Sequence, residues 1–295
     1  MSDEPYSYTT SVKSVYSDEL INTYFIRPAA GGIVRFLYKT SITPNAVTLL
    51  SILAGLNGAF FLLSPGFASA LTAGILIEVK DVLDSADGQL ARVKQMSSRR
   101  GRFYDSLGDI LVNAMLFLAL GLSMAHENHN SLYLLLAFIA FAGTTLRVSY
   151  HVFYQVSFLH LEQHYMTNRV QETITDSDRQ ADQVALRLQQ IYQLIYGWQD
   201  GLMARIDRWC HGLPIASSSD MKADDASRWY GDRTGLVLGG LIGLGTELAV
   251  LAACVIFRRF DLYLIINIGV LNFVWIDTVI YRKFILSKNL HHERI

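Results

Sequence analysis

Residues 45–92 read NAVTLLSILAGLNGAFFLLSPGFASALTAGILIEVKDVLDSADGQLAR: two long apolar runs split by Ser64-Pro65-Gly66, the second ending in a crowd of carboxylates. A bilayer core of about 30 Å is crossed by about 20 largely apolar residues in a helix. Asn45 to Leu63 meets that length with no charge, and Phe67 to Ala91 meets it while carrying Glu78, Lys80, Asp81, Asp84 and Asp87. The serine, proline and glycine between them are turn residues. Two transmembrane helices joined by a short turn are therefore expected, the second bearing groups that a hydrocarbon core disfavours.

Four further runs of this kind follow: Phe103 to Ala125, Leu132 to Phe158, Thr234 to Phe257 and Leu262 to Leu286. Polar or charged breaks such as 97–102 and 126–130 separate them. The expected fold class is an all-α integral membrane protein with six transmembrane helices. The totals agree, since 51% of the 295 residues are hydrophobic and 17% charged, with mean hydropathy +0.26, outside the range of soluble domains. A net charge of -1 gives no reason to expect a nucleic-acid partner. Cys210 and Cys254 are too few for a disulfide framework or a cysteine-based zinc site and read as packing residues.

Residues 1–44 form a cytoplasmic N-terminal segment. Met1 to Asp18 is polar, so no secretory leader is expected. Ile21 to Leu37 is interrupted by Arg27, Pro28, Gly31, Gly32 and Arg35, too broken to span; with Tyr24, Phe25, Phe36 and Tyr38 it suits an interfacial amphipathic helix. Thr43-Pro44-Asn45 opens the first span with a capping residue and a proline suited to the first helical position. Asn45 is either part of that start or an amide that hydrogen-bonds a substrate at the mouth of the bundle. Thr48, Ser51, Gly55 and Gly58 give small residues at helical spacing, which permits close helix packing.

The rest of the chain divides into 45–160, holding helices one to four and the carboxylates; 161–232, a cytoplasmic amphipathic insertion; and 233–295, helices five and six with the C-terminal tail. Six spans put both termini on one side, and cytoplasmic segments collect basic residues. Arg92, Lys94, Arg99, Arg100, Arg102 and eight more from Arg169 to Arg233 lie on one side, against Arg258 and Arg259 on the other. Both termini and the carboxylate-bearing helix ends are expected at the cytoplasmic face. Within the insertion, Val184, Leu188, Ile191, Ile195, Trp198, Leu202, Ile206 and Trp209 recur every three or four residues. That stripe predicts a helix packed on the bilayer surface or a partner subunit, or else a lid over the substrate. Ala216 to Asp220 reads as a loop.

The carboxylates carry the chemistry. At 100° per residue, Asp84, Gly88 and Ala91 share one stripe of the second span, flanked by Asp87 and Arg92. On the third span Asp105 and Asp109 are one turn apart, with Gly101 one turn earlier and Asn113 one turn later. Two acidic stripes can thus face each other. Their charge of -4 would be offset by two divalent cations, and oxygen-only ligands suit Mg²⁺ or Mn²⁺. Gly88 and Gly101 leave a helix backbone approachable, and Arg92 offers a planar donor fork for phosphate oxygens. Together these describe a phosphate-ester site. Asp81 reads as a supporting or packing residue or else a direct metal ligand, Glu78 and Lys80 point elsewhere to pair or snorkel, and Arg99, Arg100 and Arg102 form an ordinary basic loop or bind an anionic headgroup or substrate phosphate. Arg147, inside the fourth span, has two readings: snorkelling to the interface or contacting a phosphate.

Asp84-x-x-Asp87-Gly88-x-x-Ala91-Arg92, eight residues, then Gly101-x-x-x-Asp105-x-x-x-Asp109 matches every fixed position of the signature of the CDP-alcohol phosphotransferase family, which this chain resembles. The resemblance implies an enzyme that transfers a substituted phosphate from a CDP-linked donor to an acceptor hydroxyl with release of CMP, working as a homodimer with a two-metal site. By motif position, Asp84, Asp87 and Asp105 would be metal ligands, and Asp109 the general base with some metal contact. Gly88 and Ala91 would line the cytidine pocket, Arg92 would meet the diphosphate, and Asn45 would approach it. The segment Arg27-Pro28 through Thr48 looks most like the phospho-inositol branch, including di-myo-inositol-phosphate-phosphate synthases. A phospholipid synthase using CDP-diacylglycerol and a CDP-choline or CDP-ethanolamine type remain open. An ion or proton transporter would explain acidic residues in helices, but not the glycines, alanine and arginine at fixed spacing beside them.

Overall fold

A computed structural model describes residues 17–162, 183–212 and 223–288, and what it describes is helical throughout. Residues 1–16, Arg169 and the Ala216 to Asp220 loop lie outside the described residues. After a π-helical turn, Asn22–Ile26, come α1 (Arg27–Leu37), α2 (Pro44–Leu62), α3 (Phe67–Val93), α4 (Arg99–Glu127) and α5 (Leu132–Leu161). The insertion contributes α6 (Gln183–His211) and α7 (Ala223–Tyr230). Then follow α8 (Arg233–Gly240), α9 (Leu244–Ile256), α10 (Phe260–Leu264) and α11 (Asn272–Ile280), with π-helical segments Ile265–Leu271 and Tyr281–Leu286 completing the last stretch.

Among the described residues, five helical stretches are long and apolar enough to cross a membrane: Pro44–Leu62, Arg99–Glu127, Leu132–Leu161, Asp224–Ile256 and Phe260–Leu286. The chain is a multi-pass membrane protein. The expected span from Phe67 is present as the 27-residue α3, about 40 Å at 1.5 Å per residue, but its charged residues keep it from meeting the same standard of hydropathy.

Local chemistry sets the helix starts. Thr43 has extended backbone and its side chain accepts a hydrogen bond from the Ala46 N–H at 3.3 Å, with Pro44 first in α2. Ser98 caps α4 likewise, accepting from the Gly101 N–H at 3.0 Å. Gly66, at φ 103°, makes the turn between α2 and α3 in a conformation that only glycine adopts freely. Glu19 reaches across the fold to the start of α9, accepting from the Thr246 N–H at 2.7 Å and the Gly245 N–H at 3.3 Å.

The small-residue stripe of α2 lets three helices pack closely. A Cβ on Gly55 would lie 2.4 Å from Val112 Cγ1 of α4 and 3.1 Å from Lys80 Cγ of α3, and one on Gly108 would lie 2.4 Å from Ile52. Leu62, Ile77, Val112, Leu116 and Leu251 belong to the main core. On the other side of α3, the buried face of α1, Ala30 and Val34, packs with Ala86 and Leu90. Tyr24, Phe25 and Phe36 stay exposed, the distribution expected of an amphipathic segment.

Arg147 neither snorkels nor reaches an exposed site. It is fully buried in α5, and Nη2 donates to Glu247 Oε2 of α9 at 2.7 Å and to Thr144 Oγ1 at 3.1 Å. Its Nη1 donates to the Asn267 carbonyl at 3.1 Å, in the first π-helical segment of the last span. Tyr263 donates to Glu247 Oε1 at 2.6 Å, and Asn267 Nδ2 donates to Thr144 Oγ1 at 2.8 Å. Reading α5 alone hides this outcome, because the counter-charge comes from 100 residues downstream.

Helix α6 docks on its own chain. Its buried residues are Ala185, Gln189, Gln199, Met203, Asp207, Cys210 and His211, while Val184, Ile191, Trp198 and Trp209 of the expected apolar stripe are exposed. Ser149 of α5 donates to Gln199 Oε1 at 2.6 Å, and Asp207 accepts from Tyr154 at 2.9 Å, Trp229 at 2.8 Å and Tyr230 at 3.0 Å. The docking face thus mixes polar and aromatic contacts with Met203 and Cys210, and the apolar stripe divides, Leu202 and Ile206 packing on the core while Val184, Ile191, Trp198 and Trp209 turn outward.

Candidate active site

The end of α3 and the start of α4 lie against α2, and the motif is spread over both. Asp84, Asp105 and Asp109 each offer a carboxylate oxygen, and these oxygens lie within 4.8 Å of one another. Asp105 and Asp109 come from successive turns of α4 and Asp84 from α3, so the two acidic stripes do face each other. Oδ1 of Asp105 is buried with no hydrogen-bond partner among the described residues. Such an orphan acceptor is costly in an apolar setting. Three converging carboxylates with an acceptor to spare suit a hard divalent cation.

Asp87 is not one of the three whose oxygens converge. It is buried, and its Oδ2 accepts a hydrogen bond from the Thr48 hydroxyl of α2. Asp81 is also buried, and its Oδ2 has no hydrogen-bond partner among the described residues. Gly88 and Ala91 are half-buried. A Cβ on Gly88 would meet only Arg92 Nη1, at 3.6 Å, so the backbone there is open beside the guanidinium. Gly88→Leu is therefore expected to fold normally and to weaken CDP binding by about tenfold or more, through bulk in that opening; calorimetric titration with CDP checks it. Gly101 is different. A Cβ there would lie 2.9 Å from Asn45 Oδ1 and 3.1 Å from Ser98 Oγ, so this glycine makes room for the exposed Asn45 at the head of α2.

Lys80 was expected to point away, and it does the opposite. Its side chain is 1% exposed, and its Nζ contacts Asp109 Oδ1 directly and lies 3.6 Å from Asp84 Oδ2. It stands one turn before Asp84, so the i, i+4 relation was readable, but the larger contact, to Asp109, crosses to another helix 29 residues on. Thr48 was read only as a small packing residue. Tyr196 of α6 had no site signal at all: its hydroxyl donates to the Ser106 carbonyl, between the two α4 aspartates, at 2.9 Å. Burial first, and then the Asp109 carboxylate, push its phenol well above the ordinary tyrosine range. Tyr192 stacks on Tyr196 with ring centroids 4.8 Å apart and meets Phe103 of α4 at 5.5 Å. The insertion is thereby fixed to the motif helix.

Known proteins share this part of the chain. The bifunctional IPC transferase and DIPP synthase of Thermococcus kodakarensis is 31% identical over 142 residues, which cover 48% of this chain and 30% of that protein. A CDP-diacylglycerol–serine O-phosphatidyltransferase of Mycobacterium bovis is 41% identical over 68 residues, covering 23% of each chain. The inner membrane protein YnjF of Escherichia coli is 32% identical over 124 residues, covering 41% of this chain and 57% of its own. This chain spans less than a third of the length of the bifunctional relatives. The sequence profile of CDP-alcohol phosphatidyltransferases matches residues 41–171, a stretch that begins just before the Thr43 cap and contains both aspartate-bearing helices, α3 and α4. Residues 41–171, with their motif, are thus similar to the CDP-alcohol phosphatidyltransferase family.

Proposed function

We propose that this protein is a metal-dependent CDP-alcohol phosphotransferase. It moves a substituted phosphate from a CDP-linked donor to an acceptor hydroxyl and releases CMP. The observation that carries this reading is the meeting of Asp84, Asp105 and Asp109 across two helices, in a segment that matches the family.

Asp84, Asp105 and Asp109 would hold one divalent ion, Mg²⁺ or Mn²⁺, and Asp87 would join Asp84 in holding a second. Metal bound there supplies neutralisation of charge on the phosphoryl oxygens and on the departing CMP. The remaining work belongs to the chain. Arg92 binds the donor diphosphate through its planar fork, with Asn45 approaching from the head of α2. Gly88 and Ala91 leave space for the cytidine, and Gly101 lets Asn45 come close. Asp109 takes the proton of the acceptor hydroxyl as its oxygen attacks phosphorus and the bond to CMP breaks. No covalent enzyme intermediate is needed, since no activated serine, cysteine or histidine belongs to the motif.

The site is at the cytoplasmic face, where basic residues gather on both sides of the motif. Helix α3 acts as a sixth span, its charges turned into the bundle against α2 and α4, with α1 lying in the interface. The working unit is a homodimer. Among donors and acceptors we favour phospho-inositol chemistry, the branch that Arg27-Pro28 through Thr48 resembles, with the IPC transferase and DIPP synthase of Thermococcus kodakarensis in support; the serine transferase supports a CDP-diacylglycerol donor instead.

The test is CMP release by purified protein in detergent with Mg²⁺. CDP-diacylglycerol, CDP-inositol, CDP-choline and CDP-ethanolamine are each crossed with inositol, inositol phosphate, glycerol phosphate, serine and diacylglycerol. One productive pair, lost with EDTA, is the expected result. If no pair turns over and neither Mg²⁺ nor CDP binds, the reading is wrong.

A further inference from the structure

The cluster contains a cation of its own. Lys80 Nζ lies against Asp109 and 3.6 Å from Asp84, and the lysine side chain is 1% exposed while those of Asp109 and Asp84 are 20% and 23% exposed. The ammonium therefore lies at the floor and the carboxylates lie between it and the opening. Its stem is held as well: Cγ lies 3.1 Å from where a Cβ of Gly55 would be, so the missing side chain of α2 leaves the channel through which Lys80 crosses from α3 toward α4. Ser51 of α2 also donates to the Lys80 carbonyl at 2.9 Å. A buried ammonium without counter-charges is strongly disfavoured, and packing on every side bars the usual escape of a lysine head to water.

We infer that Lys80 is a fixed internal cation of this site: it aims the Asp109 carboxylate and competes with divalent metal for Asp84 and Asp109. It is a positioning residue, because it reaches the substrate only through those carboxylates. The inference rests on the metal-binding reading of the cluster. Charge arithmetic gives it direction. Asp84, Asp87, Asp105 and Asp109 carry -4, Lys80 returns one positive charge, and a like charge beneath a metal site weakens metal binding. The protein then holds its metals less tightly than four carboxylates would, in return for a base whose orientation is set before substrate arrives.

The full-length protein in detergent is titrated with Mn²⁺ alone, with bound ion followed by electron paramagnetic resonance, for wild type, Lys80→Met and Lys80→Gln. Both variants remove the charge and keep an unbranched stem through Cγ to the fourth atom, one atom shorter than lysine. Each is expected to bind Mn²⁺ roughly tenfold more tightly or better, while CMP release falls because Asp109 is no longer held. A change that merely loosened the site would weaken metal binding, so the sign separates the two accounts. Unchanged or weaker Mn²⁺ affinity in a variant that elutes as a folded particle would overturn the inference, and Lys80→Gln decides the matter if Lys80→Met does not fold. Wild type that binds Mn²⁺ without releasing CMP from any donor would remove the reaction and leave the role of Lys80 to the titration. Wild type that binds no Mn²⁺ would remove both.

Discussion

Asp109→Asn is expected to lower CMP release by roughly 10²–10⁴-fold, the usual contribution of a positioned general base. Asparagine keeps the shape of the carboxylate and cannot accept the acceptor's proton. The structure adds a second consequence. Lys80 Nζ contacts Asp109 directly, with Asp84 next at 3.6 Å, so the neutral amide leaves a buried ammonium with one fewer counter-charge. Asp109→Asn should therefore also lower the unfolding midpoint, and adding Lys80→Met should recover it without restoring turnover. Asp84→Ala and Asp105→Ala should act on metal instead, weakening Mn²⁺ binding as well as activity. Turnover of Asp109→Asn near the wild-type rate would take the base role from this residue.

Glu247→Ala should be among the most destabilising single changes in the membrane-spanning bundle, by about 3–5 kcal/mol. Arg147 is fully buried and Glu247 is its acidic partner at 2.7 Å. Removing the carboxylate strands a guanidinium in an apolar interior and also releases Tyr263, which donates to the same group at 2.6 Å. The pair joins α5 to α9, and Asn267 brings in the last span. Replacing both members, Arg147→Met with Glu247→Leu, should recover most of the loss, since apolar substitutes for a buried ion pair are often neutral or better. Thermal unfolding of the detergent-solubilised protein, followed by loss of the monodisperse peak, compares the three variants. A Glu247→Ala midpoint equal to wild type would show that Arg147 has another counter-charge.

The two predictions separate what is local from what is not. Helix positions were legible because hydropathy and capping are properties of adjacent residues: Thr43 and Pro44 start α2 and Ser98 starts α4 just where their own backbones need a cap. The acidic stripes were legible for the same reason, because helical periodicity puts Asp105 and Asp109 on one face wherever the helix is placed. The family resemblance needed no more than those spacings.

The partners of the charged side chains were decided by the tertiary structure. Lys80 is read from sequence as pairing or snorkelling and Arg147 as snorkelling or meeting a phosphate, since one helix shows only its own charges, Asp84 one turn from Lys80 among them. Packing supplied one from another helix, Asp109 for Lys80 and Glu247 for Arg147. Tyr196 gave even less warning, for its hydroxyl meets a backbone carbonyl on α4 and no side chain at all. The face by which α6 docks on its own chain gave no signal in the apolar stripe, because hydrophobicity marks what avoids water, and in a membrane protein that includes what faces lipid as well as what is buried. Local sequence was enough for the helices, their acidic face and the likeness of residues 41–171 to a known family. Which charges neutralise one another, and therefore how the site is held, followed only from bringing α2, α3 and α4 to within side-chain reach, where Coulomb energy is large enough to choose.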